Sequence, residues 1–179
     1  MIEPDNLETL FRKHDCTEFR WIKTAEVVIA HWVRMKCLFG CDDYGDRAVC
    51  PPNLPPVSEC EQFFREYEQA VVFRFHRTLD DPAQRFDWTR EINQRLLSLE
   101  RDVFLAGHHK AFVMFVDPCN ICASCADTAP LCRNPKLARP SPEGMGVDVF
   151  ALARSVGFPI EVLADYGQAM NRYGLLLTE

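Results

Sequence analysis

Seven of the nine cysteines fall into two groups, Cys37, Cys41 and Cys50 in the first and Cys119, Cys122, Cys125 and Cys132 in the second. In the second, three thiols recur at two-residue intervals, Cys119-x2-Cys122-x2-Cys125, and Cys132 follows after six intervening residues. Thiolates crowded in this way wrap around a polynuclear iron–sulfur core, whose irons offer several coordination sites a few ångströms apart. A single tetrahedral zinc more often takes separated Cys-x2-Cys pairs. The first group, Cys37-x3-Cys41-x8-Cys50-Pro51-Pro52, encloses Gly40, Asp42, Asp43, Tyr44 and Gly45. Its glycines permit the tight or left-handed turns that bring backbone amides toward cluster sulfides. Zinc is the alternative metal for both groups.

The odd count matters. Seven thiolates complete one [4Fe-4S] cluster and leave three for a second, with one iron open to water, a substrate or a non-cysteine side chain. Cys16 and Cys60 lie outside both groups and read as packing residues, since free cysteine behaves as a small hydrophobe. The five histidines, 14, 31, 76, 108 and 109, are scattered, and none stands at ligand spacing from a cysteine group. Arg34, Lys36 and Arg47 flank the first group, and Arg133, Lys136 and Arg139 follow the second. They read equally as charges that tune a cluster and as a solvated basic rim. Asp42, Asp43 and Tyr44 are candidates for proton handling, although turn-forming Asp and a packing Tyr explain them as well.

Hydrophobic periodicity places these groups in loops between alternating helices and strands. Leu7, Leu10 and Phe11 share a helical face over about 5–14. Residues 19–22 and 27–30 read as extended, the latter running on through His31–Lys36 into Cys37. Ser58 and Glu61 form a capping-box pattern ahead of Phe63, Phe64 and Tyr67. A strand is expected over 70–75. Trp88, Ile92, Leu96, Leu99 and Val103 mark a long helix over 87–104, ended by Gly107. A buried strand over 110–116 delivers Asp117-Pro118-Cys119. A helix near 146–156, closed by Gly157, precedes strands at 160–163 and 173–177. Nine of the twelve prolines stiffen the two cysteine loops.

These elements predict one α/β domain over 1–179, an α+β sandwich. Its mixed β-sheet lies on one side with helices packed on the other, and two long Cys/Pro-rich loops sit at 37–56 and 117–142. The net charge of −6 and pI near 5.4 argue against a general nucleic-acid binder. Met1–Asp5 has no basic or apolar leader, and no apolar run approaches membrane-spanning length, so the expected address is the cytoplasm. In that compartment disulfides are disfavoured, and nine cysteines call for metal or redox chemistry.

The Cys119–Cys125 run resembles the ligand run of bacterial ferredoxins, with a longer last spacing and no proline after Cys132; Cys50-Pro51 echoes the ferredoxin Cys-Pro dipeptide. The first group is not the Cys-x3-Cys-x2-Cys of radical enzymes using adenosylmethionine. Residues 37–45, Cys50-Pro51-Pro52, the 119–132 run and Arg139-Pro140-Ser141-Pro142-Glu143 together resemble the predicted metal-binding family named domain of unknown function 2284. The resemblance runs from about residue 25 through Gly146-Val147-Asp148-Val149 to Tyr173-Gly174-Leu175, and it implies metal binding by the seven grouped cysteines. It implies no reaction. The expected role is cytoplasmic electron transfer with a redox partner protein, through one or two [4Fe-4S] clusters. The alternatives are an iron–sulfur enzyme with an open iron for a small-molecule substrate, and a zinc-stapled interaction module. Whether the chain is an enzyme, and its oligomeric state, stay open.

Overall fold

Along Gln69–Arg77 (β2), Val71, Phe73 and Phe75 point to one face of a strand and Ala70 and Val72 to the other, and all five are buried. A strand apolar on both faces needs cover on both. The computed structural model describes residues 4–165 and 167–179 and supplies that cover as two helical layers. Residues 1–3, on which part of the leader argument falls, lie outside the described residues.

On one face, helices Pro4–Lys13 (α1) and Gln84–Leu105 (α4) pack Leu7, Phe11, Ile92, Leu96 and Leu99 against Val71, Phe73 and Leu176. On the other, helices Val57–Arg65 (α3) and Val149–Ser155 (α5) pack Cys60, Phe64 and Leu152 against Val72, Met114 and Leu175. The α+β class therefore stands, but the one-sided sandwich does not: helices cover both faces.

The sheet is completed by Phe19–Lys23 (β1), Phe112–Met114 (β3) and Met170–Leu177 (β4), in the order β1-β2-β4-β3. Every pairing is antiparallel, which corrects the mixed sheet. The reason is an insertion. β2, α4 and β3 form a β–α–β unit whose two strands run parallel, but β4 lies between them and is antiparallel to each.

Four further local differences have physical causes. Residues 27–30 form only the bridge of Ile29 to Val147, and His31–Gly40 is a helix (α2) with Val33 as its one buried residue among those described. Without a buried stripe, α2 leaves no helical period to read. In α3, Pro56 is the cap and Ser58 lies inside the first turn, so no capping box forms. The 110–116 strand shortens because Phe115 donates its amide to Pro140 O, 2.9 Å, rather than to the sheet. Residues 160–163 are not a strand: β4 already occupies the edges of β2 and β3, and Val162 is exposed.

Candidate metal centre

The second cysteine loop is anchored by polar residues buried in the apolar stripe of α4. Thr89, Asn93 and Glu100 face inward among Trp88, Ile92, Leu96 and Leu99. Asn93 Oδ1 accepts the Val116 amide at 3.1 Å, and its Nδ2 donates to Asn120 Oδ1 at 3.0 Å. Asn120 Nδ2 donates to Thr89 Oγ1 at 2.9 Å and Phe86 O at 3.1 Å, while Arg90 Nε donates to Asn120 O at 2.8 Å. At the far end of the loop, Arg139 donates to both oxygens of Glu100, at 3.0 and 2.7 Å. The second of these contacts is also an ion pair. A buried amide or carboxylate is stable only with its partners in place, so this network fixes both ends of the segment.

Between those anchors, Cys119, Cys122, Cys125 and Cys132 line one small cavity together with Ala48 and Val49. Asn134 Nδ2 donates to Cys122 Sγ at 3.0 Å, and the Ala48 amide donates to Cys125 Sγ at 3.4 Å. Burial pushes the Cys119 thiol up, opposed by hydrogen bonds from the Ile121 and Arg139 backbone.

The first loop is built from its own backbone turns. Cys37 sits in the last turn of α2, and Cys41 caps that helix one turn on, so the pair shares a side. Gly40 is helical, contrary to the turn expected there. Gly45, with φ 88°, adopts the left-handed conformation and donates its amide to Pro51 O at 3.0 Å. Cys37, Cys41 and Cys50 line a cavity of about 160 Å³ with Asp43, Tyr44, Asp117 and Glu143. Burial pushes the Cys50 thiol up to about 12, against the nearby Arg47 guanidinium.

The two loops touch. Arg47 Nη1 donates to Cys119 O at 3.4 Å, and Asn53 Nδ2 donates to Arg47 O at 3.0 Å and Asp127 O at 2.8 Å. Arg47 also pairs with Asp43 at 3.5 Å. The seven grouped cysteines therefore lie in adjoining loops or, for Cys37, in the helix turn that leads into one, four around one cavity and three around another.

Cys37 and Cys41 also border a larger cavity of about 560 Å³, and Asp117 and Glu143 line both spaces. Asp117 is ion-paired to Arg172 at 3.2 Å and Arg85 at 3.6 Å. Burial pushes its carboxyl up while both guanidiniums oppose the shift. Solvent reaches Glu143, yet the protein mass around it desolvates the carboxyl and pushes it up to about 7.

The remaining candidates separate cleanly. Cys16 and Cys60 are buried in the two opposite cores. No histidine lines any of these three cavities among the described residues. Arg34 staples α2 to Gly144 O at 2.5 Å and to Pro55 O, and Arg139 is spent on Glu100. Arg133 donates to Ser124 Oγ at 2.8 Å, and Lys36 and Lys136 are exposed. Of the six flanking cations, Arg47 is the one set between the loops. Sequence reading missed Asn93, Asn120, Arg85 and Arg172. The signal for the first was a polar residue on the core stripe of α4; Arg85 and Arg172 gave none.

Among the described residues no three His, Cys, Asp or Glu side chains converge to hold one metal ion. The thiols of Cys119, Cys122, Cys125 and Cys132 line one shared cavity. Among the described residues no helix is long and apolar enough to cross a membrane. No curated protein and no solved structure matches the chain significantly. A family model does, over residues 20–178, under the description "Predicted metal-binding protein (DUF2284)", and the chain belongs to that family.

Proposed function

We propose that the chain is an iron–sulfur protein of cytoplasmic electron transfer, with Cys119, Cys122, Cys125 and Cys132 as one complete ligand set and Cys37, Cys41 and Cys50 as a second, three-cysteine set. The observation that carries the reading is the ring of four thiols that receives N–H donors from Asn134 and Ala48. Such donors stabilise thiolate charge and raise the potential of a bound centre. A [4Fe-4S] cluster in either set would supply reversible one-electron storage. Exposed apolar side chains flank both groups, Phe39 at 81% and Leu131 at 68%, and offer a surface to a redox partner protein.

One observation favours a second reading, an iron–sulfur enzyme acting on a small molecule. The three-cysteine set borders the 560 Å³ cavity and the four-cysteine set does not. Protein purified without air is expected to contain iron and acid-labile sulfide in near-equal amounts, with zinc minor. Stoichiometric zinc without sulfide in that preparation would favour the zinc-stapled module and end both iron–sulfur readings.

A further inference from the structure

We infer that the cavity beside Cys37 and Cys41 is a binding site for a small organic cation, an amine carried on an apolar body. The inference rests on the second reading for its link to chemistry, but its own grounds are the walls of the cavity. Its volume of about 560 Å³ is that of a metabolite-sized site. Val116, Val147 and Val149 supply a buried apolar wall, and Trp32, Phe150 and Tyr173 add aromatic rings. Ring faces attract cations at short range.

Charge selects further. The wall holds the carboxylates of Asp117, Glu143, Asp148 and Glu161 against the cations of Lys36 and Arg172. Arg172 is taken by Asp117, 3.2 Å away, and Asp148 is engaged as the cap of α5, accepting from Ala151 N at 2.9 Å. Asn171 Oδ1 accepts from Arg74 Nε at 2.8 Å, and Tyr173 donates its hydroxyl to Pro159 O. Among the described residues neither Glu143 nor Glu161 has an ion-pair partner. Even with Glu143 uncharged, the carboxylates of Asp117, Asp148 and Glu161 outnumber the cations of Lys36 and Arg172 in the lining, so the space stays net negative. An amine is drawn into such a cavity and a carboxylate is repelled.

The test begins with iron and sulfide analysis of the anaerobic protein. Titration calorimetry on that sample then compares benzylamine with phenylacetate, two probes of similar shape and opposite charge. Benzylamine is expected to bind on the order of tenfold more tightly. Ile160→Trp, which fills the cavity from a partly buried wall position, should abolish binding, and Glu161→Lys should erase the preference. Circular dichroism checks that each variant folds; should Ile160→Trp not fold, Glu161→Lys decides. No binding of either probe, equal binding, a preference for phenylacetate, or undiminished binding in folded Ile160→Trp overturns the proposal. A sample without iron and sulfide counts against the iron–sulfur reading alone, because calorimetry on the same protein still decides the cavity.

Discussion

The two cysteine loops use the same residue type in opposite settings. The 119–132 loop is bolted at both ends to α4 by buried side chains, Asn93 and Asn120 at one end and Glu100 with Arg139 at the other. The 37–50 loop is held by its own backbone turns and by Arg34, and its thiols border open cavities. The difference teaches that ligand type alone does not set a role. A loop bolted at both ends fixes its thiols to the core, whereas a set of three beside a larger cavity leaves room for a further ligand.

The largest effect is expected from removing a thiol of the anchored 119–132 loop, set against the two packing cysteines in the cores. Cys122→Ser is expected to cost about half the iron, since no neighbour in the tight run replaces the middle ligand. Cys16→Ser and Cys60→Ser should retain all of it. Iron counts on anaerobic protein decide; equal retention in all three variants would sink the ligand assignment.

Next comes the frame. Asn93→Ala leaves the Val116 amide and Asn120 Oδ1 without their partner, a loss of about 1–3 kcal/mol for each buried group left unpaired. Denaturant unfolding should register that loss, with metal shed from the 119–132 group while the 37–50 group holds. Loss from both groups together would mean that the loops do not differ in anchoring.

Arg47→Met tests the contact between them. Removing this guanidinium costs about 1 kcal/mol in hydrogen bonding and takes a positive charge from between the two groups. The reduction potentials of both centres should fall in a potentiometric titration; a change in one alone would place Arg47 outside the junction.

The smallest effect lies away from both loops and serves as the control. Hydrogen bonds from Lys13 and then His14 hold the Asp102 carboxyl down at about 2, tying α1 to α4. Its folded value lies below the unfolded one of about 3.9, so the stabilisation is complete above about pH 4 and drains as pH falls toward about 2. Asp102→Asn should flatten that part of the stability profile without altering metal content.

Much of this was legible in the residues. The period of Trp88, Ile92, Leu96, Leu99 and Val103 marked α4, and the apolar run over 70–75 marked β2, because burial stamps a repeat on the chain. α2 carried no such stamp, since only Val33 among its described residues is buried. Strand order was illegible because β4 reaches its neighbours from nearly a hundred residues beyond β2, and local pattern carries no record of so distant a partner. At the site, cysteine spacing revealed both groups, but the neighbours that distinguish them come from elsewhere: Asn93 from α4, Arg172 from β4, Glu143 from a short turn after the loop.

The insertion of β4 between β2 and β3 also sets the order in which the sheet can assemble. During synthesis both cysteine loops leave the ribosome before Met170–Leu177, the strand that joins the two halves of the sheet. Until it arrives, β2 and β3 have no shared neighbour and the sheet stays in two halves. A nascent chain stalled short of residue 170 would leave the edges of β2 and β3 that β4 covers unpaired at once, a species for chaperones to shield.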